Sequence, residues 1–107
     1  MTAKHIDQEG FDRMIKSGRL TLVNYSAPWC AYCRRISDAY DAIAQEYAEV
    51  IDVVKVNTDA HGALASRERI EILPTFVLYE DGEAIGSIVA PESGAMIRDF
   101  IQRITGG

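Results

Sequence analysis

Several features that define other classes of protein are scarce or missing in this sequence of 107 residues. Basic residues number 11 against 16 acidic ones, so the chain carries a formal net charge of −5. Nucleic-acid binding depends on clustered cationic side chains that release counterions from phosphates, and this charge argues against it. No run of about 18 apolar residues is present, and a membrane-spanning helix is not expected.

Cysteine is also scarce, with two residues at positions Cys30 and Cys33. A disulfide between positions this close would close a very small loop and add little stability, unlike the frameworks of small secreted domains. The first residues contain no apolar stretch that could serve as the core of a signal peptide. We therefore expect a cytoplasmic protein in which the cysteine pair has a chemical role.

Length and composition fit one folded unit. Apolar residues make up 48% and charged residues 25%, close to the average of soluble globular proteins. No linker, internal repeat or low-complexity segment divides the chain. We expect a single domain over residues 1–107.

Hydrophobic periodicity predicts helices that alternate with strands. Helices are predicted at 7–17, from 30 to about 47, at 61–69 and from 93 onward, and strands at 20–25, 50–56, 75–79 and 83–90. The strand at 20–25 is apolar on both faces, as a strand covered on both sides should be. Asp81 and Gly82 are typical of a hairpin turn between the last two strands. The pattern predicts an α/β fold.

The two cysteines follow a predicted buried strand and lie at the start of the predicted long helix. At that place the unpaired N–H groups and the helix dipole stabilise a thiolate on the first cysteine. Cys30 is the expected nucleophile, with a pKa below the ordinary value of a thiol. Cys33, one turn further along, is expected to attack the mixed disulfide and release the reduced partner.

Two other interpretations of this pair are half of a zinc site and two inert core thiols. A structural zinc site normally needs four protein ligands, and the remaining candidates, His5 and His61, are distant in sequence and lack ligand spacing. No metal ligand is predicted, and neither histidine is assigned a role. Cysteines at a helix start in this context are more often reactive than inert.

Residues 23–33, with the sequence VNYSAPWCAYC, resemble the active-site strand and helix of the thioredoxin family. Residues 55–59 (KVNTD) are similar to its third-strand signature, residues 72–76 (ILPTF) to its proline loop, and Asp81-Gly82 falls at its hairpin. The resemblance extends over the whole chain. It implies the thioredoxin fold, a central mixed β-sheet flanked by helices on both faces, and dithiol-disulfide exchange with protein substrates.

The resemblance also implies roles for residues around the cysteines. Pro74 corresponds to the cis-proline of the family, which presents the Leu73 backbone to an extended substrate segment. Asn24 and Lys55 are the expected supporting residues behind the cysteines. The expected apolar rim for substrate consists of Trp29, Ile72, Leu73, Pro74, Ala90 and Pro91.

Asn24 departs from the family pattern, because thioredoxins usually carry here a buried Asp that exchanges protons with the resolving cysteine. An amide cannot titrate. Asn24 therefore either changes the route of that proton or is a neutral core group that satisfies a hydrogen bond. Without the Asp, Lys55 either reaches another carboxylate or water, or its pKa falls with burial.

The dipeptide between the cysteines is Ala31-Tyr32, where many thioredoxins have Gly-Pro. This dipeptide tunes the redox potential in the family. Tyr32 can donate one hydrogen bond but carries no positive charge, so we expect it to stabilise the Cys30 thiolate less than a histidinium would.

Other departures lie near the docking face and on the long helix. Ser26 replaces a second Trp, and Ala90 replaces a Gly. Asp38 replaces a proline that kinks the helix in the family, so the helix is expected to be straighter here. Together with Asp41 and Glu46, Asp38 is expected to form a solvated face.

We predict a protein-disulfide reductase that cycles between the Cys30/Cys33 dithiol and its disulfide, with electrons from a flavin-dependent thioredoxin reductase and no bound cofactor. A disulfide oxidase or isomerase would use the same chemistry in the other direction, because direction depends on potential. A module that only binds a partner in the groove is a third hypothesis, and retention of both cysteines argues against it. The expected partners are disulfide-containing proteins, without nucleic acid or membrane, and the expected state is a monomer.

Overall fold

The computed structural model describes residues 3–106. These residues form five strands and four helices in the order β1 (Lys4–His5), α1 (Gln8–Met14), β2 (Leu20–Ser26), α2 (Ala31–Glu46), β3 (Ile51–Asn57), α3 (Gly62–Arg67), β4 (Thr75–Glu80), β5 (Glu83–Val89) and α4 (Gly94–Thr105). Each helix and strand predicted from the sequence is present, with ends that shift by a few residues.

The strands form one mixed sheet in the order β1-β3-β2-β4-β5. β3 is parallel to both β1 and β2, whereas β2/β4 and β4/β5 are antiparallel. β2 therefore lies at the centre of the sheet, and its five middle residues are buried. This burial explains why its sequence is apolar on both faces.

β1 was not predicted from the sequence. Its two residues, Lys4 and His5, pair in parallel with Val54 and Lys55 of β3. A strand of two residues has no periodicity to detect. Its presence places His5 at one edge of the sheet, in register with Lys55.

Helices cover both faces of the sheet, as predicted. Alternate residues of β2 point to opposite faces: Leu22 belongs to a core cluster with residues of α2 and α4, and Val23 to a second cluster with residues of α1 and α3. In the second cluster, Tyr79 Oη donates to Glu68 Oε1 at 2.8 Å and lies 2.7 Å from Tyr25 Oη. Burial raises the pKa of both tyrosines, which keeps their hydroxyls protonated.

α2 carries the apolar stripe that its periodicity predicts, with Cys33, Ile36, Tyr40, Ile43 and Ala44 buried. The Tyr40 hydroxyl lies 3.0 Å from the carbonyl oxygen of Leu22 and 2.8 Å from that of Val54. These contacts tie the middle of α2 to the two central parallel strands. The cysteine end of the helix is thereby fixed over the C-terminal ends of those strands.

Candidate active site

The cysteine pair lies in the turn between β2 and α2. Cys30 is the N-cap of α2, with extended backbone, and its N–H donates to the Ala27 carbonyl at 3.1 Å. Cys30 and Cys33 form a disulfide, with their Cα atoms 5.2 Å apart. The two residues predicted to react are therefore bonded to each other.

One N–H group of the first helical turn is directed at the sulfur of Cys30. The Cys33 N–H donates to Cys30 Sγ at 3.1 Å. This group has no intrahelical acceptor, and it would stabilise a negative charge on the same sulfur after reduction. Cys30 is 7% exposed and Cys33 5%, so burial does not distinguish the nucleophile from the resolving cysteine. Their positions at the start of α2 do distinguish them, because Cys30 is the N-cap and Cys33 lies in the first turn.

Trp29 is the most exposed large apolar residue beside the cysteines. Its side chain is 68% exposed, and its indole N–H donates to Asp59 Oδ1 at 3.1 Å. The hydrogen bond holds the ring in one orientation at the surface. Trp29 is thus exposed rather than buried, as its position next to Cys30 predicts.

The proline loop and the end of β5 are joined by a backbone hydrogen bond. The Leu73–Pro74 peptide bond is cis, as the resemblance implies. The Ala90 N–H donates to the Pro74 carbonyl at 2.8 Å. Ala90 has a φ of 46°, in the left-handed region that favours glycine, which explains why Gly is the usual residue here in the family pattern.

The expected apolar rim is only partly at the surface. Ile72 is exposed, Leu73 and Ala90 are half-buried, and Pro74 and Pro91 are buried. Pro74 and Pro91 therefore add little exposed apolar surface to the rim, contrary to what was expected of them. Exposed Val89, at the end of β5, was missed. Its alternation with half-buried Ile88 is the signal that could have found it.

Tyr32 does not direct its hydroxyl at Cys30. Its Oη lies 3.1 Å from the Ala90 carbonyl oxygen and 2.8 Å from that of Pro91, and the Arg35 guanidinium lies 5.2 Å from the ring centroid. The Tyr32 hydroxyl therefore donates its hydrogen bond to the loop after β5. Tyr32 thus connects the start of α2 to that loop instead of serving as a donor to Cys30.

Behind the cysteines, Lys55 reaches another carboxylate. Its Nζ lies 3.2 Å from Asp41 Oδ1 and donates to Ser37 Oγ at 3.1 Å. Asp41 also accepts the Ala3 N–H at 3.1 Å. The expectation of a merely solvated Asp41 is therefore wrong, because this side of α2 faces β3 and the segment before β1. Glu46 likewise pairs with Arg98, at 2.7 Å.

Asn24 is buried without a hydrogen bond to its side-chain oxygen. The residue is 2% exposed, and within residues 3–106 its Oδ1 has no hydrogen-bonding partner. No protein group in this range therefore supplies the hydrogen bond that the interpretation of Asn24 as a satisfied core group expects for this oxygen. A buried acceptor without a partner is costly, and in this place it lies next to a cavity.

The cavity lies between α2 and the sheet and has a volume of about 400 Å³. Its walls include Cys33, Asn24 and Lys55, which the sequence predicted to be at the site, and also His5 and Asp38, which were assigned no role. His5 could not be placed there from the sequence, since β1 was not recognised. The cavity is open to solvent and extends as far as the resolving cysteine.

The arrangement supports chemistry at sulfur. Two cysteines one helical turn apart at a helix N-terminus can exchange two electrons with another disulfide. In the part of the chain that the structure describes, no group of three or more His, Cys, Asp or Glu residues could hold a metal ion. No helix among the same residues is long and apolar enough to cross a membrane.

Comparisons with known proteins agree with this chemistry. The family model for thioredoxin matches residues 2–103. The chain is 36% identical to the thioredoxin of Griffithsia pacifica over 98 residues, which cover 92% of this chain and 90% of that protein. It is 38% identical to thioredoxin 1 of Synechococcus elongatus over 76 residues, 71% of each chain.

Solved structures show the same fold. Plasmodium falciparum thioredoxin has a TM-score of 0.86 at 26% identity, with 94% of this chain and 98% of that one covered. The oxidised form of mitochondrial thioredoxin 3 from Saccharomyces cerevisiae has a TM-score of 0.82 at 25% identity, covering 95% and 94%. The fold and the cysteine site define a thiol-disulfide oxidoreductase, one that reduces protein disulfides. The chain belongs to the thioredoxin family.

Proposed function

We propose that Cys30 attacks disulfides of partner proteins and that Cys33 resolves the mixed disulfide, in a cytoplasmic cycle supplied with electrons by a flavin-dependent thioredoxin reductase. The hydrogen bond from the Cys33 N–H to Cys30 Sγ carries the assignment of roles. A donor already directed at Cys30 favours its thiolate and therefore its role as nucleophile. The proposal needs no bound cofactor.

The exchange proceeds in two displacements. The Cys30 thiolate attacks one sulfur of the substrate disulfide, forms a mixed disulfide and releases one substrate thiolate. Cys33 then loses its proton and attacks Cys30 Sγ, which forms the Cys30–Cys33 disulfide and releases the second substrate thiolate. Two electrons pass from the protein to the substrate, and the structure corresponds to the oxidised state that results.

Docking of the substrate is proposed on the exposed side of the cysteine pair. Trp29 and Ile72 supply exposed apolar surface there, 68% and 57% exposed. The Leu73 backbone beside the cis bond is offered to an extended segment as a short strand addition. Half-buried Ala90, tied to Pro74 by its N–H, completes this surface.

The test of the roles is a pair of single substitutions. Cys33→Ser should trap partners as mixed disulfides through Cys30, because attack remains possible and resolution is lost. Cys30→Ser should trap none, and the double Ser variant is the matched control for non-covalent binding. Equal trapping by the two single variants on a non-reducing gel would contradict the assignment.

Direction is tested by the equilibrium of the purified protein with a glutathione buffer. A reductase should be oxidised by a buffer in which an oxidase remains reduced, since direction follows the reduction potential. A potential near that of protein disulfide isomerase would favour the oxidase or isomerase alternative. If the double Ser variant still binds its partners and keeps the full activity of the parent, a partner-binding module is favoured instead.

A further inference from the structure

Three neighbouring strands place a row of polar residues at one level of the sheet. His5 of β1 is in register with Lys55 of β3, and Lys55 is in register with Asn24 of β2. Residues in register on parallel strands point to the same face, and all three side chains line the cavity beneath α2. Because neighbouring strands are about 4.8 Å apart, the row spans about 10 Å.

The row leads from the surface to the resolving cysteine. His5 is exposed at the sheet edge, whereas Asn24 is 2% exposed at the sheet centre. Cys33, rather than Cys30, lines the same cavity. The volume of about 400 Å³ accommodates a chain of water molecules, since each takes about 30 Å³ in the liquid.

The inner end of the row offers an unsatisfied acceptor. Asn24 Oδ1 has no partner in the described part of the chain, and it can accept a hydrogen bond from a water molecule or from a Cys33 thiol. As an amide, however, it cannot take up a proton at neutral pH. A proton that leaves Cys33 on this side is therefore not taken up by Asn24 and continues along the cavity.

We propose that the cavity is the route by which Cys33 loses its proton during resolution, and that His5 is the acceptor at the outer end. The inference rests on the proposed function, in which substrate covers the exposed side of the cysteines at this stage. The Cys33 proton passes through water to the neutral imidazole of His5. The Cys33 thiolate attacks Cys30 Sγ, substrate leaves as a thiolate, and His5 later releases the proton to solvent.

The other charged groups that face the cavity are less suited to accept the proton. These groups are Arg34 and Asp38 of α2 and Lys55 of β3, the last bonded to Asp41 of α2. Arg34 and Lys55 are cations, and the ammonium of Lys55 is held by Asp41. A proton acceptor works best when its pKa is near the ambient pH, which favours imidazole over the weakly basic carboxylate of Asp38.

The test separates attack from resolution in one turnover. Reduced protein is mixed with a disulfide-linked peptide dimer, quenched with acid at set times and measured by intact mass. Formation of the mixed disulfide reports attack by Cys30, and its decay reports resolution. His5→Gln should slow the decay about three- to tenfold at pH 7.5, below the 10²–10⁴ of closely positioned bases because water competes.

The pH dependence of the decay gives a second readout, because imidazole as a chemical group changes its charge between pH 5 and 8. In the parent, the decay rate should fall as pH decreases through this range, since imidazolium cannot accept a proton. His5→Gln should flatten that part of the profile, and free imidazole should restore the rate of His5→Ala. A purely structural role for His5 would produce neither effect.

Asp38→Asn is the matched control, because Asp38 is also exposed and lines the same cavity. Its decay rate should stay within twofold of the parent. Slowing by Asp38→Asn to the same degree, or an unchanged rate and pH profile in His5→Gln, would overturn the proposal. Absence of any mixed disulfide in the parent would instead contradict the proposed function, so the two failures are distinguishable.

Discussion

Replacement of Tyr32 by Phe should weaken docking of protein substrates and leave the chemistry of the cysteines intact. The Tyr32 hydroxyl lies within hydrogen-bonding distance of the Ala90 and Pro91 carbonyls. The Ala90 N–H in turn donates to the Pro74 carbonyl. The Tyr32 hydroxyl is therefore connected to both loops that are proposed to hold substrate, directly to the loop after β5 and through Ala90 to the proline loop. Phe removes this hydrogen bond and keeps the ring and its contact with Arg35.

The size of the effect follows from the hydrogen bond that is lost. One hydroxyl proton shared by two carbonyls counts as about one net hydrogen bond, about 1 kcal/mol. Binding would then have to order the loop after β5, and affinity would fall by that free energy. About 1 kcal/mol corresponds to a roughly fivefold rise in KM. Folding stability should fall by a similar amount.

The assay compares a disulfide-bonded protein with a small aromatic disulfide that does not reach the loops. For Tyr32→Phe, KM for the protein substrate should rise about fivefold, by the same hydrogen-bond estimate, and the rate with the small disulfide should stay within twofold. Tyr47→Phe, at the other end of α2, is the control and should change neither. An equal loss with both substrates would refute the reasoning, because Tyr32 would then act on Cys30 itself.

Three further substitutions test the interior and the surface. Asn24→Asp should speed the decay of the mixed disulfide about tenfold by supplying a nearby proton acceptor, with attack unchanged in the same acid-quench assay. Tyr79→Phe should lower the free energy of unfolding in urea by about 2 kcal/mol, since Tyr25 Oη loses its partner. A decrease of less than about 0.5 kcal/mol would contradict this estimate. The Arg67 hydrogen bond lowers the pKa of Asp12, so the stability that Asp12 contributes is present at pH 7 and is lost as pH falls through that pKa. Asp12→Asn should therefore cost about 0.5 kcal/mol at pH 7, an exposed pair being screened, and less at pH 3 by thermal unfolding.

Local patterns were sufficient to predict most elements of the fold. The four-residue spacing of Ile36, Tyr40 and Ala44 predicted α2, and these residues are buried on one face. The placement of Cys30 at its start followed from the strand and turn before it. The cis bond at Pro74 has no local signal strong enough by itself, and its prediction depended on the resemblance.

Contacts between residues distant in the chain could not be predicted in this way. Lys55 and Asp41 lie on different elements, and the partners of Tyr32 are 58 and 59 positions away. Nothing in the spacing of the sequence indicates which acceptor a side chain will find once helices pack on a sheet. His5 is the clearest case, because a strand of two residues brings it into register with Lys55.

The opposite surroundings of the two cysteines suggest how the site is organised. Beside Cys30, the exposed ring of Trp29 offers apolar surface, and beside Cys33 a polar cavity leads to the sheet edge. A docked substrate excludes water from the first side, which strengthens the hydrogen bond to the thiolate there. The same exclusion would leave Cys33 without a proton acceptor if that side were its only access. Proton transfer through the second side resolves this conflict, because it keeps the resolving thiol in contact with water while the substrate is still bound.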